Sequence, residues 1–243
     1  MSPFSAICFL VAPILITGLL AFTIKVDQKR LRLILAFSAA YLFAVSIIHM
    51  LPEAFTQEQT KQTGLFIVIG FCLQVVIDTF STGIEHGHVH LHSHECHKRL
   101  PYGIVIGLCL HSFLEGLPVY SINEVNGSHV NHQLLLGLAV HNFPITIAFV
   151  SLLKEHHLKT INGILLLVFF SLMAPLGYAA SYTLQSFGLH NYEVYSRFAY
   201  ALVIGIFLHI STAILFESGE HHRYNIAKVI VMFFGILVAY LIS

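Results

Sequence analysis

Gly103–Tyr120 reads GIVIGLCLHSFLEGLPVY. The stretch is apolar and long enough for a helix, yet it carries His111 and Glu115 four residues apart. That spacing is just over one helical turn, so both side chains share one face. A second apolar stretch, Leu138–Phe149 (LAVHNFPITIAF), adds His141 and Asn142. Ionisable groups inside a membrane cost about 2.5–3.5 kcal/mol each on insertion scales, so a functional role is the first reading for them.

Working outward, the 243-residue chain is 56% hydrophobic and only 10% charged, against about 25% charged for a soluble domain. Twelve Lys plus Arg balance twelve Asp plus Glu, so no bulk charge points to nucleic acid. The expected fold class is all-α, a polytopic bundle in the lipid bilayer forming one transmembrane domain over residues 1–243. Segments of about 20 apolar residues fall at 4–24, 33–52, 64–84, 102–122, 133–153, 161–184, 197–217 and 225–242, which predicts eight spans. The first lacks a basic leading region and a small-residue cleavage site, so it reads as a retained span rather than a signal peptide.

The connecting segments alternate in basic content. Of the twelve Lys and Arg, ten lie after the first, third, fifth and seventh spans, and two (Lys61 and Arg197) lie in or beside the others. By the positive-inside rule both termini are expected to be extracytoplasmic. The segment of about 85–101 is then cytosolic. Spans two and seven each carry Phe ten residues before Glu (Phe43 and Glu53, Phe207 and Glu217) in opposite orientations, a faint trace of an inverted repeat. Cys8, Cys72, Cys96 and Cys109 are scattered, with no disulfide framework.

His111 and Glu115 form a mixed nitrogen–oxygen pair of the kind that suits zinc, iron or manganese. The competing reading is a structural hydrogen bond between helices. Pro118 follows, and removes the donor that the Leu114 carbonyl would use; Pro144 does the same to Val140. His141 and Asn142 are adjacent and point about 100° apart, so one of them at most faces the first pair unless the kink turns them. Ser112 is a weak ligand. His49 and Glu53 close the second span at i, i+4, Asp78 lies in the third and His209 in the seventh; these four are pathway candidates, and Asp78 and His209 read equally well as a pair across helices. Asp78 is the candidate for supplying further negative charge at the centre.

The 84–98 segment reads IEHGHVHLHSHECHK. His86, His88, His90, His92 and His94 alternate, and Cys96 and His97 follow. In an extended chain such a tract places its imidazoles on one side and binds divalent ions without fixed geometry. It lies outside the membrane, so it is expected to hold metal loosely and not to be the transport site.

These motifs together resemble the ZIP (Zrt/Irt-like) family of divalent metal transporters. SIIHMLPEAF (46–55) looks like the family's His-x-Leu-Pro-Glu-Ala. HSFLEGL (111–117) resembles its His-Asn-x-Pro-Glu-Gly, HNFPITIAF (141–149) its span-five counterpart, and MAPLGYAAS (173–181) its Glu-Pro-Leu-Gly. The resemblance implies a helical bundle with a central, often binuclear site on spans four and five. It carries the metal role to His111, Ser112, Glu115, His141 and Asn142.

The chain departs from the pattern at Ser112, at Ile145 and Thr146, where the family has Glu-Gly, and at Ala174, where it has Glu. Two neutral imidazoles, an amide and one carboxylate would leave a divalent ion near +1, costly at low dielectric. One metal site is therefore expected, where the family often has two.

The expected function is movement of a divalent metal, zinc first, into the cytosol across the plasma membrane. The metal is substrate, with no prosthetic cofactor, no enzyme activity and no nucleic-acid partner. A homodimer is left open. Neutral imidazole is needed for binding, so uptake is expected to fall as pH drops toward about 6. The alternative is a metal-sensing or partner-binding paralogue with a degraded site. A membrane-embedded zinc hydrolase would need an activated water and a base beyond Glu115, and none is evident.

Overall fold

The computed structural model describes residues 2–24, 27–55, 60–81, 102–123, 127–187, 192–216 and 226–242. The helices are α1 (Pro3–Thr23), α2 (Gln28–Val45), α3 (Leu51–Phe55), α4 (Thr60–Ser81), α5 (Tyr102–Gly116), α6 (His132–Glu155), α7 (Thr160–Ser171), α8 (Met173–Ser186), α9 (Tyr192–Phe216) and α10 (Ile226–Ile242). A π-helical turn, Ser46–Met50, joins α2 to α3 without a break in direction. Seven segments are long and apolar enough to cross a membrane: Pro3–Thr23, Lys29–Phe55, Thr60–Thr79, Tyr102–Val119, Leu134–Glu155, Thr160–Ser186 and Tyr192–Phe216. The last apolar helix, Ile226–Ile242, has 17 residues. That is roughly 26 Å at 1.5 Å per residue, somewhat under the hydrocarbon thickness. Seven of the eight expected spans therefore meet the length among the described residues.

The fourth expected span, 102–122, is shorter than the sequence reading gave it. Helix α5 stops at Gly116, Leu117–Val119 tighten into a 3₁₀ turn around Pro118, and the chain turns extended at Tyr120. Strands β1 (Tyr120–Asn123) and β2 (Gly127–Val130) then pair antiparallel, with Tyr120 opposite Val130. This hairpin is a small β addition to an otherwise helical expectation. It is pinned by Tyr120, whose hydroxyl donates to Gln185 Oε1 at 2.8 Å and whose ring meets those of Tyr178 and Tyr182 edge to face.

Local chemistry sets the helix ends. Asn131 caps α6, its side-chain oxygen accepting from the Leu134 N–H at 3.0 Å. Thr160–Ser186 is interrupted at Leu172, where Pro175 has no N–H for the Ser171 carbonyl. Two lysines satisfy the carbonyls of neighbouring helix ends. Lys154 Nζ donates to Ala21 O at 3.0 Å and to Phe22 O and Ile24 O at 3.3 Å, and Lys228 Nζ donates to Ile214 O at 3.1 Å.

Packing places α6 innermost. Of the seven long segments it is the most buried, and Thr60–Thr79 the least. α6 packs on α1 and α2, α2 on α9 and α10, α5 on α8 and α4, and α4 on α9. Lipid tails are as apolar as Leu, so such helices associate by close fit, with small residues at the seams. A Cβ at Gly70 would fall on the Leu202 carbonyl and one at Gly205 on that of Ile67. A Cβ at Gly116 would fall on the Ala174 carbonyl and one at Gly177 on that of Phe113. The α4–α9 and α5–α8 seams therefore bring backbone against backbone.

Candidate metal centre

α5 carries His111 and Glu115 on one face, as the spacing predicts, and His111 Nε2 lies 3.0 Å from Glu115 Oε1. α6 brings His141 to the same oxygen, Nε2 to Oε1 at 3.8 Å. The two imidazole rings meet nearly perpendicular, with centroids 5.8 Å apart. One ligand atom from each of the three residues fits within 4.8 Å of the other two, and all three residues are buried. Among the described residues this is the one His/Cys/Asp/Glu group of that kind.

Glu115 is fully buried. Its Oε2 and the Nε2 of His141 have no hydrogen-bond partner among the described residues. Buried polar atoms are nearly always satisfied, so such atoms converging in one place need an explanation. A divalent cation bound by two imidazole nitrogens and a carboxylate supplies one, with a fourth position left open.

Asn142 and Ser112 are buried beside these residues but are not part of the three-residue group. The Asn142 carbonyl accepts from the Thr146 hydroxyl at 2.7 Å. Ser112 Oγ has no hydrogen-bond partner among the described residues. Of the two adjacent residues, His141 is the one with a ligand atom near Glu115, Nε2 to Oε1 at 3.8 Å. Ile145 is buried in the position of the missing carboxylate, and Ala174 is buried against Gly116.

The pathway candidates fall in two places. His49 sits in the π-helical turn, with its Nε2 buried and without a hydrogen-bond partner among the described residues; π turns recur at functional positions. Glu53 Oε2 accepts from the Tyr200 hydroxyl at 2.7 Å, tying α3 to α9.

Of the readings open for Asp78, the pair across helices is the one present: its Oδ2 lies 3.3 Å from His209 Nδ1 across the α4–α9 seam, and it is not part of the His111, Glu115 and His141 group. Its Oδ1 accepts from Gln74 Nε2 at 2.8 Å. The Phe71 and His209 rings meet edge to face, centroids 4.8 Å apart. Asp78 and Gln74 are one turn apart on α4, so packing α4 on α9 closes the pair locally.

His86, His88, His90, His92, His94, Cys96 and His97 lie outside the described residues, as does Glu217. Sequence reasoning passed over Ser38, Gln74 and Tyr200, each of which touches a candidate residue. Gln74 stands four residues before Asp78, a spacing that could have flagged it. Ser38 and Tyr200 meet their partners only through the packing of α2 on α6 and of α3 on α9.

The profile of the ZIP Zinc transporter family matches residues 2–103 and 97–243, the whole length of the chain but for the first residue. No curated protein matches the chain.

Proposed function

The chain belongs to the ZIP zinc transporter family, and from that premise we propose that it moves one divalent metal ion at a time through His111, Glu115 and His141. Family membership and the apolar helices make it an integral membrane protein of a metal-transporting family whose members are transporters, not enzymes. The particular site rests on one observation: three buried ligand side chains from two helices converge on Glu115 Oε1.

Zinc suits this donor set best, since tetrahedral zinc takes imidazole nitrogen and carboxylate oxygen with an open position. Iron and manganese accept the same donors. With two neutral imidazoles and one carboxylate the bound ion keeps a charge near +1. That residual charge at low dielectric weakens binding and favours release, as a carrier requires. Asn142 and Ser112 stand next to the ligands as supporting groups. His49, Glu53, Asp78 and His209 line the route on either side.

The basic residues of alternate connecting segments support eight spans with α10 as the eighth, both termini outside, and the histidine-rich 85–101 segment in the cytosol. In that arrangement, inward movement at the plasma membrane delivers the ion to the loop histidines. Uptake of zinc into proteoliposomes tests the proposal. Wild type should load, while His111→Ala and Glu115→Ala should fall to the rate of empty vesicles; equal rates in all three would refute the assignment. Ile145 and Ala174, which stand where the family pattern has carboxylates, favour one second reading, a sensor that binds metal without flux. Metal binding with no uptake by the wild type in the same vesicles would establish that reading.

A further inference from the structure

Val140 stands four residues before Pro144, whose missing N–H deprives the Val140 carbonyl of its helical donor. The hydroxyl of Ser38, on α2, supplies one instead: Ser38 Oγ lies 3.5 Å from Val140 O. The same oxygen lies 3.5 Å from His141 Nδ1. Ser38 and His141 are both 1% exposed, so bulk water does not compete. Both distances lie at the long end of a hydrogen bond, as polar contacts of catalytic sites often do before substrate draws them in.

Proton counting then fixes the direction of the chain. A carbonyl only accepts, and a hydroxyl has one proton to give. With that proton on Val140 O, Ser38 Oγ accepts from His141, so the imidazole carries its hydrogen on Nδ1. Nε2 is left as a bare lone pair, and Nε2 is the atom that faces Glu115 Oε1. The opposite polarity takes the Ser38 proton away from the part-buried Val140 carbonyl, to which Ser38 Oγ donates. It also puts a hydrogen on Nε2 at 3.8 Å from the nearest carboxylate oxygen, too far for a hydrogen bond to offset the loss.

We propose that Ser38 is a positioning residue for the metal: it reads the carbonyl opened by Pro144 and holds His141 in the Nδ1–H tautomer, presenting Nε2 as ligand. The proposal rests on His111, Glu115 and His141 being the metal site. Outer partners of metal-bound histidines are worth about 10–100-fold in affinity. Ser38→Ala should therefore bind Co²⁺ that much more weakly, while Ser38→Thr, which keeps the hydroxyl, restores the affinity.

The test uses the purified full chain in detergent, with [15N]histidine labelling and the His141 signals identified by their loss in His141→Gln. Metal-free wild type should show a protonated Nδ1 and an unprotonated Nε2, and Ser38→Ala a mixture of tautomers. Co²⁺ absorption that disappears in His111→Ala reads the affinity. A wild-type Nε2–H tautomer, or a Ser38→Ala protein that titrates like wild type, overturns the role of Ser38 alone. A wild type without any Co²⁺ signal dependent on His111 overturns the metal site itself, and Ser38 with it.

Discussion

Glu115 Oε1 lies 3.8 Å from His141 Nε2 across the interface of two helices, both residues fully enclosed. A carboxylate in that position is the site's one formal negative charge. In the absence of metal, an enclosed charge of this kind is a cost to the fold; with metal it is the strongest ligand.

Glu115→Gln separates the two roles. The amide has the same shape without the charge, so metal affinity should fall by about 100-fold or more, exceeding the loss expected from an outer partner. The metal-free protein should keep its stability, because the amide sheds the desolvated charge and can still hydrogen-bond the His111 imidazole beside it. Thermal unfolding in excess chelator and a zinc competition titration read the two effects. A lower unfolding midpoint with unchanged affinity would assign Glu115 a structural role.

The Asp78–His209 pair is closed within the α4–α9 seam by Gln74 and Phe71, apart from the three ligands. Groups that share no partner with the three ligands are expected to act nearly independently of them. His209→Ala should leave the zinc dissociation constant within about 2-fold of wild type while lowering the maximal rate of uptake. Comparing equilibrium binding with proteoliposome kinetics checks this. An equal loss in both would make the pair part of the binding site.

Ile145 stands four residues after His141 on α6 and is equally buried. A carboxylate there would share the face of His141. In a chain whose loop histidines and Cys96 are replaced, Ile145→Glu should raise the bound metal from one ion per chain to two, measured by elemental analysis of the dialysed protein. A value that stays at one would mean that this position does not open onto the site.

Gly116 follows Glu115 directly, and any Cβ there lands on the Ala174 carbonyl. Gly116→Ala must push α5 away from α8, at a cost of about 1–3 kcal/mol for overpacking. Both the thermal midpoint and the metal affinity should drop, since the displaced backbone carries Glu115. A variant with wild-type values in both would show that the seam yields without moving the ligand.

Much of this arrangement is legible in the chain. The pairing of His111 with Glu115 follows from four-residue spacing on a helix, and the apolar segments announce themselves by length. His141 and Asn142 are not separable by periodicity alone; the fold brings the His141 side chain within 3.8 Å of Glu115. The end of α5 at Gly116 was hidden because Leu117–Tyr120 remain apolar while Pro118 turns the chain. Asp78 and His209 could be read from the chain either as pathway residues or as a pair across helices; the glycine-lined approach of α4 to α9 is what brings them together. Ser38 was silent: a lone serine in an apolar span reads as bonded to its own backbone, and this one reaches across to α6.

Metal stoichiometry tests the central claim, a single site built by His111, Glu115 and His141, most directly. The protein to measure carries alanine at His86, His88, His90, His92, His94 and His97 and serine at Cys96, so that the loop contributes nothing. Equilibrium dialysis against zinc should give one ion per chain, and none after Glu115→Ala. Two ions per chain, or one that survives Glu115→Ala, would contradict the account.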